Sequence, residues 1–175
     1  MEKSHPMITR IIETILRYSL GLIMVAYGLI KIMGIQFELS DSVYESPLKE
    51  LDGVTLTWAF LGYSPFFSRF IGFLEFIPGA MLLFNRTKLI GAILLLPSLV
   101  AVVILNNAFG FLLHMQIFTF FLFLINCTIL IFNHKIFYNT IMRLLERNPK
   151  RQFVEMILNL ILIGIIFCLI LCFRP

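Results

Sequence analysis

Glu75 is the residue of this sequence most open to chemistry: a carboxyl set inside the apolar run FIGFLEFIPGAMLLF. A charge at the middle of a membrane helix costs about 2.5–3.5 kcal/mol on insertion scales, so such residues face the protein interior. Gly72, Glu75, Gly79 and Leu82 share one helical face, and the small residues on it let a second helix approach closely. An earlier run carries a matching face of Gly21, Met24, Gly28 and Lys31, with Tyr27 four residues before Lys31. Lys31 stands near the end of its run, and Glu75 is expected roughly 9 Å deeper at about 1.5 Å per residue. A lysine stem covers part of that gap, but snorkelling towards the headgroups is the simpler fate. A carboxyl left without a partner is held neutral by desolvation. It can then hydrogen-bond a quinone, relay a proton or simply tie two helices together.

Further polar groups gather towards the same end of the chain's apolar runs: Arg69, Asn106, Asn107 and His114, with Asn126 lying deeper. Glu75, Lys31, Tyr27, Arg69, Asn106 and Asn107 together make the candidate intramembrane polar site. Helix-end capping and snorkelling account for each of the flanking residues taken singly. Other chemistry is excluded. His114 and His134 are separated by roughly 30 Å of helix, and His5 lies in a polar tail, so no bis-histidine haem fits. No phosphate loop, HExxH or nucleophile elbow occurs. Cys127, Cys168 and Cys172 form no CxxC pair and read as small buried hydrophobes. No catalytic set, metal site or resident cofactor is evident, and a quinone or another small lipophilic molecule stands as a candidate ligand.

The elements that must carry these residues follow from hydropathy. Hydrophobic residues are 59% of the 175 and charged residues 14%, where a soluble domain carries roughly 25% charged. Runs of about 20 apolar residues cross a bilayer as helices. They fall at about 16–34, 66–84, 89–109, 116–132 and 153–175, so the expectation is all-α: a polytopic transmembrane bundle. Its parts are a four-helix core over 1–134, a basic interfacial linker over 135–152 and a fifth crossing over 153–175. The first run lacks a small-x-small cleavage site and reads as a retained helix rather than a signal peptide.

Five crossings bring Lys3, Arg10, Arg17, Arg86, Lys88, Lys135, Arg143, Arg147, Lys150 and Arg151 to one face. That asymmetry predicts a cytoplasmic N-terminus and an outside C-terminus. The net charge of +4 is therefore a topology signal and not a nucleic-acid one. The opposite face holds the 36–65 loop, with Glu38, Asp41, Glu45, Glu50 and Asp52 against Lys49 alone. Pro47 opens a short helix there (PLKEL). The loop reads as a solvated acidic segment, or as a lid that docks a membrane or periplasmic partner. The linker, KIFYNTIMRLLERNPKRQ, reads as an interfacial helix on anionic headgroups of the lipid bilayer.

Helices one to four resemble the DoxX family of small bacterial membrane proteins. The likeness rests on Arg17, Gly21, Gly28 and Lys31, on Gly72, Glu75, Gly79, Leu82, Leu83 and Arg86, and on the Gly91–Ala92 opening of the third helix. It covers about residues 12–133, and the long first loop and fifth helix depart from it. The resemblance implies a four-helix bundle in a bacterial inner membrane, in a family some of whose members are linked to quinone reduction or to thiol and oxidative-stress systems. The leading expectation is a redox-associated membrane subunit that binds a quinone or another small lipophilic molecule, with enzymatic activity left open. The alternative is a non-catalytic scaffold or assembly subunit. A small proton-coupled transporter is weaker, because the five spans show no inverted repeat.

Overall fold

A computed structural model describes residues 7–145, and the chain divides into a larger unit ending at His134 and a smaller one beginning at Lys135. Among the described residues all regular structure is helical. The helices are α1 (Met7–Ile32), α2 (Asp41–Glu45), α3 (Gly53–Gly62), α4 (Pro65–Leu82), α5 (Lys88–Ala108), α6 (Leu113–Phe132) and α7 (His134–Leu145), with a single 3-10 turn at Leu48–Glu50.

Local chemistry sets their ends. Ser64 accepts the Phe67 amide at 3.4 Å while Pro65, which has no N–H to satisfy, opens α4. Past α1, Gly34 adopts φ +78°, and the Gly34 and Ile35 amides close back on the Lys31 and Ile30 carbonyls. Gly110 stops α5 in the same way, with Phe111 N–H donating to the Asn106 carbonyl.

Among the described residues three helices, α1, α5 and α6, are long and apolar enough to cross a membrane. α4 has 18 residues, about 27 Å of helix, but Arg69 and Glu75 dilute its hydropathy. It is not one of the three. α4, α5 and α6 fall close to the expected 66–84, 89–109 and 116–132. α1 instead starts at Met7, well before the expected 16, because Arg10 and Glu13 join the helix that hydropathy alone cuts short. α7 covers the first part of the 135–152 linker. The rest of that linker, and the expected crossing over 153–175, lie outside the described residues.

α1 packs most extensively on α4; α4 packs on α5, α5 on α6, and α6 returns to α1, so the four helices close a ring. Leu20, Met24, Leu82, Leu95, Leu99, Leu122 and Ile129 form its centre. Its outward faces carry large exposed apolar side chains, including Leu22, Phe66, Phe73, Ile104 and Phe121. So much exposed apolar surface is expected of a lipid-facing wall and not of a soluble monomer.

The α1–α4 seam is built on glycine. Gly21, Met24, Gly28 and Lys31 are buried on one side of it, and Gly72, Glu75, Gly79 and Leu82 on the other. A Cβ on Gly28 would lie 2.7 Å from the Phe76 nitrogen and 2.8 Å from the Gly72 carbonyl oxygen, so the backbones themselves touch.

At the opposite end of the ring, Glu13 Oε1 receives Lys88 Nζ at 2.5 Å and Asn133 Nδ2 at 2.9 Å. One carboxylate thereby ties α1 to the start of α5 and the end of α6. Arg17, one turn along, is 3% exposed.

Candidate functional site

The glycine contact fixes the helical register, and the register decides the fate of Lys31. Gly28 lies against both Gly72 and Phe76, so the Glu75 backbone stands at the level of Gly28. Lys31 is three residues past Gly28, about 4.5 Å of helix rather than the 9 Å expected. Its side chain turns inward. Lys31 Nζ lies 2.5 Å from both Glu75 Oε1 and Glu75 Oε2, with Lys31 5% and Glu75 1% exposed. The expectation that Lys31 snorkels outward is therefore overturned, because an ammonium that reaches a carboxylate within its own stem length gains more than a partial escape to the headgroups. Ser68 reinforces the seam, its hydroxyl donating to the Lys31 carbonyl at 3.4 Å.

The pair forms part of the wall of a cavity of about 90 Å³ inside the ring. Met24, Leu99 and Leu122 of the apolar core also line it. The Tyr27 ring stands 6.4 Å from that of Phe118, and both residues line the space. On the α5–α6 side, buried Asn106 donates to the Thr119 hydroxyl at 3.1 Å, and Thr119 donates onward to the Met115 and Gln116 carbonyls. Gln36, Trp58 and Phe111 complete the lining from the connections at this end. The Gln36 Oε1 atom is buried, and among the described residues nothing donates to it.

Trp58 comes from α3, and the position of α3 follows from its two terminal glycines. Gly53 packs directly on the Phe109 carbonyl, and Gly62 directly on that of Phe37. Phe37 is buried and meets the Trp58 ring edge-on at 6.1 Å. Asp52 caps α3, accepting from the Val54 and Thr55 amides at 2.9 and 3.0 Å and from the Thr55 hydroxyl at 2.7 Å. The 36–65 loop thus holds a 3-10 turn at Leu48–Glu50, where Pro47 pointed, and also α3, an apolar helix laid against α4.

Of the six candidate residues, Glu75, Lys31, Tyr27 and Asn106 meet at this cavity. Arg69 and Asn107 do not. Both are exposed, and Asn107 donates to the Val103 carbonyl of its own helix at 2.8 Å. Asn126 serves packing: it is fully buried and donates across to the Ala92 carbonyl at 3.0 Å. Gln36, Trp58 and Thr119 were missed. Thr119 lies five residues from His114 on a helix with little other polarity, which was a usable signal, whereas nothing in the local pattern marks Gln36 or Trp58.

Among the described residues no group of three or more His, Cys, Asp or Glu side chains stands ready to hold a metal ion. The arrangement can offer a ligand charge-assisted donors and acceptors from the Lys31–Glu75 pair, a phenol from Tyr27 and a free acceptor at Gln36.

No family model matches the chain. No solved structure matches it. Among curated proteins, the uncharacterized protein YwoB of Bacillus subtilis (strain 168) is 37% identical over 84 residues, a stretch equal to 47% of this chain and 53% of that protein. The chain thus spans about half the length of the curated relative it matches.

Proposed function

We propose that this chain is a DoxX-like bundle of the inner membrane, redox-associated, whose ring of α1, α4, α5 and α6 binds a small lipophilic molecule at the Lys31–Glu75 pair. In this reading α4 is the fourth crossing. Packed between α1 and α5 along its length, it turns Glu75 away from lipid, so its lower hydropathy does not prevent insertion. The Lys31 end faces outside, opposite the basic turn of Arg86 and Lys88.

The observation that carries the reading is a buried ion pair on a cavity wall where stability does not call for one. α1 and α4 already meet backbone to backbone at Gly28 and Gly72. A buried pair gains little over well-packed apolar residues of the same volume, because desolvating two charges offsets most of their attraction. Beside a cavity that also holds the Tyr27 phenol and the unpartnered Gln36 acceptor, the pair is suited to recognising a polar head group. The space of about 90 Å³ is smaller than the roughly 150 Å³ cavity that takes a benzene ring. It therefore takes the carbonyl or hydroxyl edge of a head group such as a quinone's, with the remainder towards Gln36, Trp58 and Phe111. Where the ligand is a quinone, a partner protein supplies the electrons.

The test is binding of a short-tailed quinone to the full chain reconstituted in vesicles. Saturable binding that Glu75→Gln weakens supports the reading. Absent binding, or binding that Glu75→Gln leaves unchanged, removes it.

A further inference from the structure

A second hollow lies outside the ring. It is a groove of about 630 Å³ between α2, the 3-10 turn, α3 and the first turn of α4, lined almost wholly by apolar groups. Val43, Leu48, Leu51, Leu56, Ala59 and Phe67 supply the hydrocarbon wall. Tyr44 and Tyr63 stand at it with ring centroids 6.3 Å apart. The groove has about four times the volume of a cavity that holds benzene, enough for an extended chain and far more than a single apolar side chain requires.

The depth of the groove names its occupant. α3 packs at Gly53 on Phe109, the residue that ends the α5 span, and at Gly62 on Phe37, five residues past the end of α1. The groove thus lies where two membrane-crossing helices end. Its far wall runs into α4, whose exposed Phe66, Phe70 and Phe73 continue the same apolar surface along the ring. Tyrosines with an apolar body and a polar tip are the side chains that settle at this interface. Charge narrows the choice further. α2 and the 3-10 turn carry Asp41, Glu45 and Glu50 against Lys49, a rim that repels an anionic head and suits one carrying an ammonium.

We propose that this groove holds one acyl chain of a zwitterionic phospholipid from the adjoining leaflet, with the lipid's ammonium near the Asp41, Glu45 and Glu50 carboxylates. Lipid bound here would pack on the face of α3 next to Trp58, so it would also brace the wall of the inner cavity. The proposal does not depend on what that cavity binds.

Trp58, the one tryptophan of the chain, makes the test direct. The full chain in detergent is titrated with phosphatidylcholine brominated along its acyl chains, a short-range quencher of tryptophan fluorescence. The expected result is saturable quenching at one lipid per chain. Ala59→Phe, which fills the groove, and Leu48→Asp, which places a charge on its exposed wall, each weaken it about tenfold or more, the equivalent of roughly two buried methylenes. Leu48 is 72% exposed, so Leu48→Asp decides the matter if Ala59→Phe fails to fold. Quenching that rises without saturating, or that both variants leave unchanged, overturns the proposal. Tighter binding of brominated phosphatidylglycerol, or binding of free fatty acid alone, overturns the assignment of a zwitterionic phospholipid.

Discussion

Removing one charge from the Lys31–Glu75 pair should be far more damaging than removing both. In Glu75→Gln the side chain keeps its length, but the Lys31 ammonium, 5% exposed, loses a carboxylate whose two oxygens each stand 2.5 Å away. What remains on the cavity wall is the new amide, the neutral polar groups of Tyr27 and Gln36 and the apolar side chains of Met24, Leu99 and Leu122, with no negative charge among them. Breaking a buried pair from one side costs about 3–5 kcal/mol, whereas replacing both partners by apolar groups is neutral or stabilising by about 1–4 kcal/mol. Lys31→Met combined with Glu75→Leu should therefore fold at least as well as the parent. With each single change costing about 3 kcal/mol or more and the double variant about neutral, the double-mutant cycle should return a coupling of about 6 kcal/mol or more, above the roughly 0.5–3 kcal/mol usual for residues in contact. The assay is reversible unfolding in mixed micelles by titration with a denaturing detergent, followed by Trp58 emission and by helical circular dichroism. A Glu75→Gln cost below about 1 kcal/mol, the range of a solvent-exposed pair, would refute the reasoning. So would a double variant as unstable as the two single changes added together.

Three further outcomes follow from the packing. Gly28→Ala puts a Cβ 2.7 Å from the Phe76 nitrogen, so the α1–α4 seam must open; a loss of about 1–3 kcal/mol is expected in the same unfolding assay. Asp52 is held below its ordinary value of 3.8, first by the Thr55 hydroxyl and then by the Thr55 and Val54 amides. A carboxyl lowered by folding stabilises the fold above its unfolded value, and that contribution disappears as pH falls through the folded value. Protection of the Val54 and Thr55 amides from hydrogen exchange should accordingly fall on acidification below the unfolded value, and Asp52→Asn should abolish that step. Asn126→Leu loses the bond to the Ala92 carbonyl but also removes a buried Oδ1 to which no described residue donates. The two effects offset, and the expected net change is within about 1 kcal/mol by the same unfolding titration.

The helices of the ring were legible because a bilayer demands about 20 apolar residues per crossing, and α4, α5 and α6 end close to where hydropathy does. The α1–α4 seam was legible for a second reason: glycines recurring at helical spacing beside Glu75 and Lys31 mark faces that pack. The pairing of Lys31 with Glu75 was not, since it depends on the offset between two antiparallel helices. That offset is fixed by the contact of Gly28 with Gly72 and Phe76, a tertiary fact with no trace in either segment alone. α3 was hidden for a different reason. Its ten residues are too few for a span, and an apolar stretch within a loop rich in carboxylates reads as connection until Gly53 and Gly62 find the carbonyls they rest on. Gln36 and Trp58 reach the cavity only through that placement. Arg69 was assigned to the site by depth alone, yet it is exposed and does not line the cavity that Glu75 lines.

The central claim is that the cavity walled by Lys31 and Glu75 accepts a ligand, which enters from the α3 end of the bundle. Ligand protection of a cysteine at the Tyr27 position measures this most directly. With the native cysteines replaced by serine, Tyr27→Cys and, as a surface marker at the same end, Ser42→Cys, at an exposed position, are labelled in oriented vesicles by a small membrane-impermeant thiol reagent. The account predicts that both react from the same side and that a short-tailed quinone slows labelling of Tyr27→Cys but not of Ser42→Cys. Labelling of Tyr27→Cys only from the opposite side, or at a rate the quinone does not change, would contradict it.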